Sequence, residues 1–175
     1  FLVFTGDPLM IAGNATIGLE ILEDLPDVNA VVIPWGAGAL SCGIASALRA
    51  LRPDVKVYAS EIETGAPLAP SLAAGKPVEV SYTPSFVDGI SGPFVFPEML
   101  ALASHLLDGS FISTLDETAS AIRVVAERNH VVSEGAGGTS VAAALAGKAG
   151  GGKVVCIVSG GNIDSDKLAK ILLGE

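Results

Sequence analysis

The chain is poor in the residues that staple a fold, bind metal or grip nucleic acid. Its 175 residues include two cysteines, two histidines, one tryptophan, two tyrosines and ten lysines and arginines. Cys42 and Cys156 lie far apart and make no disulfide framework, which points to a reducing, cytoplasmic compartment. No His/Cys spacing suits zinc, so no metal is expected. Ten basic residues against 19 acidic give a net charge of −9, and no basic stripe is present to neutralise phosphates, which excludes a nucleic-acid partner. Only 17% of residues are charged while half are hydrophobic, the reverse of a disordered chain. The uncharged run Ala30–Leu48 is long enough for a membrane span. It carries Pro34, Gly36, Gly38 and Gly43, however, and suits strand–loop–helix instead, so no membrane partner is expected. The start at Phe1 has neither Met nor a basic segment and reads as no signal or transit peptide, but as a beginning within an element.

What is present is glycine, 21 residues, and short Val/Ile-rich runs. Ala30–Pro34, Val55–Ala59, His130–Ser133 and Lys153–Ser159 read as strands buried on both faces of a parallel sheet. Helical patterns lie between and around them at Thr16–Leu25, Leu40–Leu51, Asp116–Arg128, Thr139–Leu145 and Asp164–Leu173. Thr114 followed by Glu117 is a capping-box pattern for the third of these. Alternating strands and helices predict an α/β three-layer sandwich with a mostly parallel, twisted sheet. The Pro/Gly-rich stretch Gly65–Pro97 has no clear period and is expected to wrap that sheet within one α/β segment spanning residues 1–175.

Three segments could carry chemistry. Val31–Leu40 (VVIPWGAGAL) runs from strand through a Gly/Ala loop into a helix, which leaves bare N–H groups at a positive helix end. Phosphate binding and close helix–sheet packing both fit it. No Gly-Lys-Ser/Thr follows, and Ser41 stands where the dinucleotide fingerprint needs its third glycine. Ile157–Asp164 (IVSGGNID) delivers the Ser159 hydroxyl and Gly160 at the carboxyl end of a strand, where open α/β sheets bind ligands. There Ser159 and Asn162 also fit a plain turn, with Asp164 capping the next helix. Ser133–Thr139 (SEGAGGT) sets Glu134 in a third strand–loop–helix junction. Trp35 fits ligand flanking or packing, His105 reads as a surface or core residue, and Cys42 near a helix start would have a lowered pKa were it not for packing.

Six segments in order, IAGNATIGLEI (11–21), VVIPWGAGAL (31–40), SEIETGA (60–66), VDGI (87–90), SEGAGG (133–138) and IVSGGNID (157–164), strongly resemble the threonine/serine dehydratases. These are fold-type II pyridoxal-phosphate (PLP) enzymes with a tryptophan synthase β-like fold, and serine racemase is a close relative. The resemblance runs along nearly the whole chain but corresponds to the C-terminal part of such an enzyme's larger domain.

The resemblance implies the following roles. Gly36, Ala37, Gly38, Ala39 and Leu40 match the loop whose N–H groups cradle the PLP phosphate, although the family usually has more glycine here. Such donors survive a Gly→Ala change where φ is negative. Ser159 matches the hydroxyl that bonds the pyridine nitrogen, with Gly160 beside it, and Gly89 and Glu134 match residues facing the cofactor. Asn14 and Ala15 stand where Gln-Gly is common. Glu61 and Gly65 match two groups of a cation site found in some relatives, but Pro67 replaces the second acid. None of Lys56, Lys76, Lys148, Lys153, Lys167 and Lys170 has the Ser-x-Lys-x-Arg-like context of the family's Schiff-base lysine. The chain alone is therefore expected to be inactive and to need a missing N-terminal segment. With that segment, the expected activity is elimination of ammonia from a hydroxy amino acid such as L-threonine or L-serine, or racemisation, in a homodimer. A non-catalytic remnant or assembly module that keeps the fold without PLP is the alternative, and a nucleotide-binding α/β domain is a third.

Overall fold

The computed structural model describes residues 6–174; the chain start at Phe1 lies outside them. The order is α1 (Pro8–Asp24), β1 (Ala30–Pro34), α2 (Ala39–Leu51), β2 (Lys56–Ile62), α3 (Leu68–Ala74), α4 (Pro97–Leu106), β3 (Gly109–Ser113), α5 (Leu115–Asn129), α6 (Gly135–Leu145), β4 (Val154–Cys156) and α7 (Ser165–Leu173). The strands form one sheet in the order β3-β2-β1-β4. All pairings are parallel: Ala30 sits against Lys56 and Val154, and Tyr58 against Gly109.

The two faces of β1 explain the layers. Val31 and Ile33 point into a core with Ile21, Val28, Ile44, Leu48 and Val57, which holds α1 and α2 on one face. Ala30 and Val32 point the other way, against Ala143 of α6 and Ala149. This period-2 split of a wholly apolar strand makes a helix–sheet–helix sandwich, as the sequence predicted. A third cluster, Trp35, Cys42, Leu68, Met99 and Leu100, closes the carboxyl end of β1.

Several elements depart from expectation. His130–Ser133 is not a strand: His130 ends α5 in the left-handed region at φ 57°, and Val131 and Val132 are exposed. The run passes beside the chain after β4, with one bond from the Glu134 N–H to the Gly160 carbonyl (3.0 Å). β4 keeps its ladder only from Val154 to Cys156. β3 was not foreseen, and α3 and α4 lie in or just beyond the stretch that showed no period. α1 starts eight residues before its predicted start, after an Asp7 side chain that accepts the Leu9 N–H (2.8 Å) with Pro8 in the first turn. The Thr114–Glu117 capping box is present in both directions.

Candidate functional site

Four pieces of chain converge at the carboxyl end of the sheet. The loop after β1, the Val87–Ile90 turn, the start of α6 and the chain after β4 enclose a cavity of about 190 Å³. Its lining includes Gly36, Ala37, Gly38, Leu40, Gly89, Glu134 and Ser159, seven of the nine residues selected from sequence. Ala39, buried as the first residue of α2, and Gly160, against the Glu134 carboxylate, stand just behind the lining. Pro34, Ile90 and Ala136 also line the cavity; each lies within one of the quoted motifs but was not selected as a site residue.

The loop geometry explains its mixed glycine content. Gly38 is the residue before α2 and sits at φ 98°; a Cβ there would lie 2.6 Å from the Trp35 ring and 2.9 Å from Met99 Cε. Gly36 passes close to Gly89, and a Cβ on it would lie only 3.2 Å from the Gly89 carbonyl oxygen. Ala37 and Ala39 are not among the positive-φ residues, so alanine serves there without strain. α2 has no side-chain cap, and its first-turn N–H groups have no partner within the helix. Gly36 and Ala37 are exposed. The donors are therefore free to take an anion at the helix's positive end.

Glu134 ties the other walls together. Its carboxylate accepts the Asn162 N–H (3.2 Å), and a Cβ on Gly160 would fall 2.5 Å from Oε1. Asn162 thus belongs to the Glu134 turn. Ser159 is exposed at the cavity. Beneath it, Ser140 Oγ lies within bonding range of the Ile157 carbonyl (2.9 Å) and locks α6 to the chain that carries Ser159. Asp164 occupies the position before α7, but its side chain makes no cap and pairs with Lys167 instead (2.9 Å).

The remaining candidates resolve into structure. Trp35 is buried, 1% exposed, and packs beneath the loop. Cys42 is fully buried, and burial pushes its thiol up to about 12, overriding the helix start. His105 is exposed on α4. Glu61 is 1% exposed and accepts from Leu68 N–H (2.7 Å), Ala69 N–H (2.9 Å) and Ser110 Oγ (2.7 Å). Burial raises its pKa against these bonds. No cluster of three metal-ligating side chains exists among the described residues, and none of the six lysines lines the cavity.

A cavity made of backbone donors at a helix start, a strand-end hydroxyl and a carboxylate can hold a phosphorylated ring compound. The model for the family "Pyridoxal-phosphate dependent enzyme" matches residues 2–160. The chain belongs to that family. It is 39% identical to an L-threonine ammonia-lyase of Thermotoga maritima over 95% of this chain and 42% of the relative. It is 36% identical to the catabolic L-threonine dehydratase of Escherichia coli K12 over 94% of this chain and 51% of the relative. Among solved structures it superposes on processed threonine deaminase isoform 2 of Solanum lycopersicum with a TM-score of 0.88, 31% identity and coverage of 97% and 51%. Maize serine racemase gives 0.83, 28%, and 94% and 52%. The chain spans about half the length of the curated relatives it matches. The fold is that of the fold-type II PLP enzymes, and PLP is the family's cofactor.

The residues present fit PLP in kind. The loop has donors for a phosphate and Ser159 presents a hydroxyl to the same space, while Gly38 lets the loop turn against Trp35 and Met99 behind it. The volume is smaller than the roughly 300–1,000 Å³ of common ligand pockets.

Proposed function

We propose that this chain is the C-terminal part of a PLP-dependent dehydratase of hydroxy amino acids, with residues 1–175 forming one segment of the larger cofactor-binding domain. The activity is conversion of L-threonine or L-serine to a 2-oxo acid and ammonia, with racemisation as the related outcome. The supporting observation is the shared cavity, in which the loop after β1, Gly89, Glu134 and Ser159 meet.

PLP, when bound, supplies an electron sink for the charge that develops at the substrate's Cα as its proton leaves. This chain's residues do the holding. The N–H groups of Gly36 to Leu40 bind the phosphate at the start of α2, where the helix dipole favours its charge. Gly89 and Glu134 border the ring, and Gly160 leaves room for the Glu134 carboxylate behind Ser159. Ser159 would offer the pyridine nitrogen a neutral hydroxyl partner, which would leave that nitrogen unprotonated and suit β-elimination. The Cα proton is moved by a lysine supplied by the other part of the enzyme, since no lysine reaches this cavity. Two unpaired cysteines support a cytoplasmic location, and a homodimer is the assembly the resemblance suggests.

The test assembles this chain with the part that carries the lysine and measures PLP binding and ammonia release from L-threonine and L-serine. Both are expected, and Ser159→Asp lowers ammonia release at least tenfold while PLP stays bound. Unchanged elimination in that variant refutes the role given to Ser159. An assembled protein that binds no PLP supports the remnant reading instead.

A further inference from the structure

Two walls of the cavity have no secondary structure to hold them. Residues 75–96, between α3 and α4, form no helix or strand, and neither do residues 157–164, between β4 and α7. The first stretch supplies Gly89 and the second supplies Ser159. The hydrogen bonds of the Val87–Ile90 turn are local. The Val87 N–H donates to Ser85 Oγ (3.2 Å), and Ser91 Oγ donates to the Val87 carbonyl (3.1 Å). Otherwise the turn leans on the start of α6, where a Cβ on Gly135 would lie 2.7 Å from Val87 Cα. A second, polar recess of about 100 Å³ lies between the same two stretches, lined by Phe86, Asp88, Asn162, Ile163, Asp164 and Lys167. The Lys167 Nζ is 2.9 Å from Asp164 and 3.7 Å from Asp88. Among the described residues, the Lys167–Asp88 pair is the one polar side-chain link between α7 and the Gly89 turn.

We propose that Lys167 is a positioning residue for the cofactor: its ammonium, drawn between two carboxylates, ties the Gly89 turn to the chain that carries Ser159 and sets the spacing of those walls. The inference rests on the function proposed above. Asp88 puts one carboxylate on the residue next to Gly89. Asp164 fixes the ammonium at the start of α7, two residues beyond Asn162, whose N–H is held by Glu134. A displacement of either wall therefore stretches the tether. Lys167 is 42% exposed and the two aspartates 65% and 74%, so solvent screens both pairs. A tether of that strength tunes PLP affinity by about twofold to fivefold and fades with salt. Plain attraction between Lys167 and the phosphate would act differently. It would make the Asp88 carboxylate a hindrance to PLP, whereas a tether needs both partners.

The test compares Lys167→Met, Asp88→Asn and the double variant with the wild type. Amide exchange at residues 87–90 is followed in this chain, and PLP affinity is measured by equilibrium dialysis after assembly with the part that carries the lysine. Both single variants are expected to keep the wild-type circular dichroism spectrum, to exchange at least twofold faster at 87–90 and to bind PLP about twofold to fivefold more weakly. The double variant is expected to be no worse than either single one, since both changes cut the same link. The gap between wild type and variants closes in about 0.5 M NaCl, and Lys167→Arg keeps wild-type values. The proposal is overturned if exchange at 87–90 or PLP affinity is unchanged in both single variants, or if their losses add in the double variant. It is also overturned if Lys167→Met weakens PLP binding while Asp88→Asn tightens it, the signature of attraction to the phosphate alone. A wild-type assembly that binds no PLP, with faster exchange in both variants, counts against the proposed function and leaves the tether standing.

Discussion

Ser60 donates its hydroxyl proton to Thr139. The two oxygens are 2.8 Å apart, and the direction follows because Thr139 gives its only proton to the Ala136 carbonyl, also at 2.8 Å. Both side chains are fully buried. This bond joins the end of β2 to the first turns of α6, and so holds Ala136 and Glu134 at the cavity wall. Thr139→Val removes the acceptor and strands a buried hydroxyl, which costs about 1–3 kcal/mol. Ser60→Ala combined with Thr139→Val costs less than the sum of the two single changes. Urea denaturation of the four proteins checks both statements, and Thr139→Ser is expected to retain most of the stability.

Gly38 tolerates no side chain. An alanine there meets the left-handed φ of 98° and the Trp35 ring at 2.6 Å together. The expected loss is about 2 kcal/mol or more. PLP affinity of the assembled enzyme should fall at least tenfold. Ala37→Gly should change affinity little, since the backbone there already has an ordinary conformation. Thermal melting and equilibrium dialysis separate the two outcomes.

Glu61 gives a pH signature of unusual sign for a carboxylate. Burial raises its folded pKa above the ordinary value of 4.5, so the folded state holds the proton more tightly than the unfolded chain. Its contribution is fully present below that ordinary value and is lost as pH rises through the raised one. Glu61→Gln removes this dependence. The difference in denaturation midpoint between the wild type and Glu61→Gln should therefore shift against the wild type as pH climbs from about 4 towards neutrality. A flat difference would mean that the bonds from Leu68, Ala69 and Ser110 cancel the burial cost.

Both thiols should be slow in the native protein. Burial holds Cys42 at about 12 and Cys156 at about 11, so little thiolate exists at pH 8. Alkylation by iodoacetamide is expected to be at least tenfold faster in guanidinium. Cys156, half-buried at the sheet edge, reacts before fully buried Cys42.

The readable parts of the fold were those where one physical signal dominated. β1 and α2 stood out because an unbroken apolar run ends at a Gly-rich loop and its residues are buried on both faces. α6 shows the limit. Its first turn contains Gly135, Gly137 and Gly138, and a glycine in a helix costs roughly 1 kcal/mol relative to alanine. Tertiary packing reverses the choice: a Cβ at these positions would lie 2.7 Å from Val87 Cα, Ser133 Oγ and Ile122 Cγ1 respectively. β3, Gly109–Ser113, is an edge strand with two serines and Lys148 on its outer side, so it lacks the continuous apolar run. The Val131–Val132 run carried a strand pattern without a pairing partner, and composition cannot reveal where a partner is. For the site, the loops were legible as motifs. The neighbours Pro34, Ile90 and Ala136 were not, because apolar walls have no signature of their own.

Trp35 is the chain's one indole, and it lies against the glycine on which the anion loop turns. A fluorophore is thus wired in beneath the anion loop, with no other tryptophan among these 175 residues. Its emission should register arrival and departure of a pyridoxyl group by quenching and energy transfer, without an attached dye. The protein carries its own optical gauge of whether the loop is loaded.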